Sequence, residues 1–522
     1  MQLYDTTLRD GSQGEGISFT VEDKLTITQL LDDLGVHFVE GGWPGANPKD
    51  AQYFERVQDV PLSQSTLVAF TSTSRPDVRP PDDSNIVSAL TASTDVVTIV
   101  GKSWDLHVEH VLRTTADENL RMIRDTVLFL RSKGRRIFYD AEHFFDGFKN
   151  NTGYAMKTIE AAIDAGAEVV VLCDTNGGSM PWEVEDIVRR VVNSTSVPVG
   201  IHAHNDCEMA VSNTLAAVQA GAIQVQGTVN GYGERTGNAN LCSIIPNLKL
   251  KMGIECINDR QLTLMTDLSK VVTGLAKLSP SFSHSAYVGH SAFAHKGGIH
   301  ADATRKLSES YQHINPSKVG NRSRILVSEL SGRANVMFKI DEFGQREWLK
   351  EGDERRIAQL VKELESKGFS FESADASLEL LIRKQLNNYE SPFDLVNWSV
   401  AVSTEERGDP LTLAKIKLLV QGDNLNITAT GQDSLHALDA SLRKGLLLAY
   451  PKLANTQLVR YELQLLDADT QYDFAARAFI VSTDGDRTWR TVGCSNSIVD
   501  ATKQALVDSF EYAILSSSTT DE

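Results

Sequence analysis

The first 250 residues repeat one rhythm eight times: a short apolar, β-branched run, a few polar turn residues, then a helical period. The strand-like runs fall at 1–4, 37–40, 66–70, 96–100, 137–141, 169–173, 199–202 and 224–229. Between them lie helix patterns such as 21–34, 115–132, 153–165, 182–192 and 210–220. Strands alternating with helices call for a parallel sheet covered by helices. An open doubly wound sheet would show the same alternation, but eight units predict a (β/α)8 barrel over residues 1–275.

The ends of these runs carry the chemistry. Arg9 and Asp10 follow the first, Glu40 ends the second, and Glu142 follows the fifth. Asp174-Thr175, His202 with His204, and Asn230 follow the sixth, seventh and eighth. A barrel gathers all of them at one rim, where such folds place their active sites. Strand alternation puts His202 and His204 on one face, aimed at a common point. With Asp10 they make a one-carboxylate, two-imidazole set that suits a divalent ion, with Mg, Mn and Zn all compatible. Such a site leaves positions open for an oxygen ligand such as a 2-keto acid, and Arg9 beside it can stabilise a developing enolate or alkoxide. Cys207 is expected to be a small buried hydrophobe rather than a further ligand.

At 522 residues, 41% hydrophobic and 23% charged, the chain has an ordinary globular make-up and length for two or three domains. Its net charge of -18 speaks against nucleic acid or an anionic membrane as a bulk partner. Five scattered cysteines fit a reducing compartment. With no basic-then-apolar leader and no run near the ~20 residues that span a bilayer, the expected location is the cytoplasm. The glycine-rich stretches at 41–45 and 231–238 lack both the dinucleotide spacing and the P-loop ending, which excludes those nucleotide chemistries.

Residues 276–392 read as helical subdomains that contribute to the active site. They carry Phe293-Ala294-His295-Lys296-Gly297-Gly298-Ile299-His300-Ala301-Asp302, a loop expected to approach a ligand closely, with His295 structural. Residues 393–516 repeat a βββα pattern twice, which predicts a small α+β module, and 517–522 read as a disordered tail.

Four ordered motifs then identify a resemblance that covers the whole chain. Leu8-Arg9-Asp10-Gly11, His202-Ala203-His204-Asn205-Asp206, residues 231–238 and Gly298-Ile299-His300-Ala301-Asp302 are similar to those of the isopropylmalate, homocitrate and citramalate synthase family of metal-dependent Claisen-condensing enzymes. Residues 100–107 and Gln13-Gly14-Glu15-Gly16 look most like its citramalate synthase branch. Ser12 stands where most relatives carry Glu, which speaks against isopropylmalate synthase proper.

The resemblance implies acetyl-CoA and pyruvate as substrates and citramalate, a precursor of isoleucine, as product. It implies that Asp10, His202 and His204 hold the metal, with Asn238 a weaker candidate ligand. Arg9 would sit over the keto oxygen and Thr175 would touch the keto acid's carboxylate. Glu142, His300 and Tyr311 would form the acid–base group, the last two reaching into a partner subunit's barrel in a homodimer. The C-terminal module would bind isoleucine as feedback inhibitor. Trp104, Phe144, Phe145 and Phe148 are expected to crowd the rim and leave room for a methyl group. The rivals are a synthase for a larger 2-keto acid, a lyase running the reverse cleavage, and a non-catalytic amino-acid sensor on a decayed barrel. A metal-dependent hydrolase is weaker, because its paired histidines normally follow the first strand.

Overall fold

The computed structural model describes residues 1–278, 284–328, 332–386, 389–403, 411–466 and 475–518. It divides into two compact units, Met1–Phe293 with Ile314–Arg322, and Ala294–His313 with Ser323–Glu522.

The first unit is the expected (β/α)8 barrel. Its strands are β1 (Gln2–Asp5), β2 (Phe38–Gly42), β3 (Thr66–Ser72), β4 (Val96–Lys102), β5 (Arg136–Glu142), β6 (Val169–Asp174), β7 (Val199–Ala203) and β8 (Gln224–Gly227). All neighbours are parallel, and β8 pairs with β1 to close the ring. Parallel strands are covered on both faces, so both alternating sets of side chains are buried. The outward set, including Val39, Val97, Ile99, Ile137, Leu172 and Ile201, packs under the helices in one large core. The inward set begins with a floor of Tyr4, Phe38, Val68, Val96, Phe138 and Val169. Phe38 meets Phe138 edge-on at 5.0 Å.

Two residues further along β2, β4 and β5, and on the inward face of β8, the interior is polar. Phe38 gives way to Glu40, Val96 to Thr98, Phe138 to Asp140 and Gln224 to Gln226, all buried. Buried polar groups need partners, and these have them. Tyr4 donates its hydroxyl proton to Glu40 Oε1 at 2.6 Å, and Gln226 Nε2 donates to Asp140 Oδ1 at 3.1 Å. The barrel therefore has an apolar floor, a hydrogen-bonded middle layer and a rim that points out of it.

Two elements differ from the sequence expectation. β8 stops at Gly227, because Thr228 bridges to Asn240 and a 3-10 turn covers Val229–Gly231. The helix expected over 153–165 is present, and a further helical stretch from Phe144 precedes it across the non-helical backbone of Asn151. His143, in left-handed conformation at φ 55°, makes the turn that starts it. That helix carries Phe144, Phe145 and Phe148 into the core.

In the second unit β9 (Ala294–His295) and β10 (Arg324–Ile325) form a two-stranded pair beside the helix Gly298–Lys306. The helices Arg333–Glu342, Asp353–Ser366 and Asp375–Gln385 follow, gathered on Val336, Ile340, Ile357, Val361 and Ile382. The duplicated βββα pattern is then realised twice. Antiparallel β11 (Phe393–Ser403), β12 (Leu411–Val420) and β13 (Asp423–Gly431) are followed by the helix Ser434–Leu446. β14 (Gln457–Leu466), β15 (Ala475–Thr483) and β16 (Thr488–Ser495) are followed by the helix Ile498–Ser518. One core joins the repeats through Ile416, Leu418, Leu438, Leu442, Ile480 and Leu506. The last helix extends through Ser518, two residues into the expected tail, and 519–522 lie outside the described residues.

Candidate active site

Asp10 lies in the turn after β1, His202 on β7 and His204 just beyond it, so opposite ends of the chain's first unit converge at the rim. His202 Nε2 is 3.2 Å and His204 Nε2 4.0 Å from Asp10 Oδ2. Ligand atoms of all three lie within 4.8 Å of one another, and all three residues are buried. This spacing is what one ion held by three side chains requires.

The surroundings fit that use. His202 pairs through Nδ1 with Gln226 Oε1 at 2.9 Å, which leaves Nε2 for the centre. His204 Nδ1 and Asn238 Oδ1 are buried with no hydrogen-bond partner among the described residues. Asn238 is bridged to His204 through the backbone, and its Nδ2 donates to Tyr232 O at 3.1 Å. The loop that carries it closes tightly on glycine: a Cβ on Gly237, at φ 94°, would meet Gly231 O at 2.0 Å.

Electrostatics prepare the set for a cation. Burial opposes ionisation of Asp10, but Arg9, His202 and His204 outweigh it and hold the carboxyl far below its usual range. Burial, together with His202, pushes His204 down to about 4, so its imidazole is neutral at pH 7. Burial alone would lower His202, yet its bond to Asp10 carries it upward. Deeper in the barrel, burial and the nearby Glu40 push Asp140 up to about 7.

Arg9 is held from three sides. Its Nε donates to Glu40 Oε2 at 2.7 Å, its Nη1 is 3.4 Å from Asp10 Oδ2, and its guanidinium lies 4.0 Å from the centre of the Phe70 ring. It lines a cavity of about 220 Å³ with Asp10, Glu142, Thr175, His202 and His204. Thr175 Oγ1 accepts the backbone N–H of His143 at 2.9 Å, and Arg235 ties the same loop to the next by binding Thr175 O and Asp206.

The structure also corrects several expectations. Trp104, Phe144, Phe145 and Phe148 do not line the cavity; the three phenylalanines are buried in the core and Trp104 stacks on His107. The apolar walls are Trp43, Phe70, Val100 and Cys173 instead. Phe70 and Val100 occupy inward positions near the ends of β3 and β4, so strand parity was the signal that pointed to them. Asp174 uses its carboxylate on Ser179, and Asn230 uses its side chain on Ser269 and Thr273, so neither rim residue faces the cavity. Cys207 is exposed rather than buried, because it sits in the loop beyond β7. As expected, His300 and Tyr311 lie outside the first unit; their rings stack at 4.4 Å with Tyr311 exposed. His295 lies in β9 of that unit, 3.4 Å from Gln312 Nε2.

Comparison with known proteins agrees with this geometry. Residues 1–272 match the HMGL-like family, 287–368 the homocitrate synthase post-HMGL domain-like family, and 372–514 the LeuA allosteric (dimerisation) domain. The chain is 48% identical to the (R)-citramalate synthase of Geobacter sulfurreducens over 98% of its length and 97% of the relative's. It is 46% identical to that of Aquifex aeolicus, again over 98% and 97%. Among solved structures, an HMG-CoA lyase of Bacillus subtilis aligns with 54% of this chain and 95% of its own at a TM-score of 0.46 and 18% identity. With a barrel matched along its whole length and relatives of one name matched from end to end, the chain belongs to the HMGL-like family, in its citramalate synthase group.

Proposed function

We propose that the chain is an (R)-citramalate synthase, which joins the methyl carbon of acetyl-CoA to the keto carbon of pyruvate and releases CoA by hydrolysis. One observation carries the reading: Asp10, His202, His204 and Arg9 converge on one small cavity in a chain that relatives of that name match over 98% of its length.

Asp10, His202 and His204 would hold a divalent ion, Mg, Mn or Zn, with Asn238 beside them. When bound, the ion supplies Lewis-acid polarisation of the keto carbonyl. Arg9 offers a permanent positive charge where the alkoxide oxygen develops, and its anchoring by Glu40 makes that charge preorganised. The Thr175 hydroxyl is offered to the keto acid's carboxylate. The thioester methyl is a weak carbon acid, so its proton must be taken by a base held within hydrogen-bond reach. Glu142 at the cavity wall is the group for this, and His300 of the partner subunit and Tyr311 of the partner subunit would complete the acid–base set in a homodimer. Phe70, Val100 and Trp43 favour a small keto acid over a branched or dicarboxylic one.

Release of CoA with pyruvate, 2-ketobutyrate, 2-ketoisovalerate and 2-ketoglutarate, each supplied separately, tests the assignment. Pyruvate is expected to be preferred. Preference for either of the last two replaces it with isopropylmalate or homocitrate synthesis, and bound metal without turnover favours a sensor. The C-terminal module is proposed to act in a homodimer and to bind isoleucine as feedback inhibitor. Isoleucine should then lower CoA release where leucine and valine do so less. No helix among the described residues is long and apolar enough to cross a membrane, and all five cysteines are free. Free thiols suit a reducing compartment, and the cytoplasm is the proposed location.

A further inference from the structure

Lys102 and Glu142 are the last residues of β4 and β5 and stand opposite each other in the register of these parallel strands. Their side chains leave the sheet on the same side and form an ion pair between Lys102 Nζ and Glu142 Oε2. The pair is not a solvated surface contact, since the side chains are only 22% and 24% exposed. The backbone at both positions is held: Ser103 N donates to Glu142 O at 3.1 Å, and the buried Asn119 donates to Lys102 O at 2.9 Å. Glu142 lines the cavity that Asp10, His202 and His204 share, and Lys102 is not among its lining residues.

We propose that Lys102 is a positioning residue for the reaction, whose ammonium holds the Glu142 carboxylate at the cavity wall. The proposal rests on the acid–base role assigned to Glu142 above. A base must be held within hydrogen-bond reach of the proton it takes, and an ion pair fixes where its carboxylate stands. Other groups around Glu142 do not replace Lys102. His107, from the helix Asp105–His110, is lowered by burial and by the nearby His143 and Lys102, so it is neutral at pH 7. His143 pairs with Asp146 at 3.3 Å, and Asp146 adds negative charge. Asp140 lies lower on β5, with Cys173 near it on β6, and neither supplies a cation. Arg9, across the cavity, is engaged by Glu40 and Asp10. Among the described residues, Lys102 is the cation in ion-pair contact with Glu142.

The test is kcat and KM for pyruvate in the metal-loaded full chain. Removal of the ammonium releases the Glu142 carboxylate from its place at the cavity wall, so Lys102→Met should lower kcat by roughly 10–100-fold while KM changes by less than about twofold. Lys102→Gln, a second neutral variant that keeps a hydrogen-bond donor, should lower kcat the same way, and Lys102→Arg should restore it. A kcat that stays at the wild-type value in whichever neutral variant folds overturns the role of Lys102. Glu142→Gln tests the underlying reading separately. It should abolish most turnover, and wild-type turnover in that variant overturns the role of Glu142 whatever Lys102 does.

Discussion

Strands β5 and β12 both alternate their side chains, yet a polar residue means different things in the two. In β12 the buried set is Thr412, Ala414, Ile416, Leu418 and Val420, and Lys415 on the other face is exposed to water. In β5 both sets are buried: Ile137, Tyr139 and Ala141 under the helices, Phe138 and Asp140 inside the barrel. A lysine on the wet face of an antiparallel sheet needs no partner, whereas a carboxylate in a doubly covered strand must be hydrogen-bonded. Asp140 is, through Gln226 to His202. The buried Asp140, Gln226 and His202 of the barrel strands therefore mark chemistry and its supports, whereas Lys415 of β12 marks solvent.

The contrast is broken most directly at the metal set. His202→Ala or Asp10→Ala should reduce turnover to background, and chelator treatment of the wild type should do the same until a divalent ion is restored. Lys415→Ala should leave CoA release within about twofold, as surface substitutions usually do. Metal-dependent turnover that survives loss of His202 would end the comparison.

A smaller effect sharpens it. Gln226→Leu keeps the volume but removes the bond that orients His202, so metal affinity should fall by roughly 10–100-fold in calorimetric titration. Unchanged affinity would make the middle layer of the barrel structural only.

The smallest effect tests the other unit, at the half-buried carboxylate of Asp508. Burial, helped by Glu511, pushes Asp508 up to about 6 against the opposing Lys384 and Ser377. The folded state then binds this proton more tightly than the unfolded chain, so its contribution to stability is present in acid and lost as pH rises from about 4 to 6. Asp508→Asn should flatten that part of the profile of unfolding midpoint against pH by about 1 kcal/mol, discounted for the partial exposure of the side chain. A profile identical to the wild type would refute the assignment.

Much of the barrel was legible because its period is local. Each strand and its following helix announce themselves within some 30 residues, and the parity of His202 and His204 follows from strand geometry alone. The duplicated module was legible for the same reason, its two βββα patterns having matching lengths. The aromatic stretch after Glu142 was misread, because a left-handed residue at His143 starts a further helical stretch before the break at Asn151 and turns three phenylalanines inward. No spacing rule announces such a turn. Asp174 and Asn230 were misread because structural hydrogen bonding and rim chemistry use the same residue types.

From residue order alone came the eightfold unit, the donor types at the strand ends and the repeat that follows. These depend on chemistry within a strand or a turn, where neighbours in sequence are neighbours in space. Only the folded barrel decided that Val100 and Phe70 wall the cavity, that Gln226 links His202 to Asp140, and that Lys102 meets Glu142. Those contacts depend on the register between strands whose paired residues lie 24 to 86 positions apart, and register is set by the closure of the whole sheet rather than by any one segment.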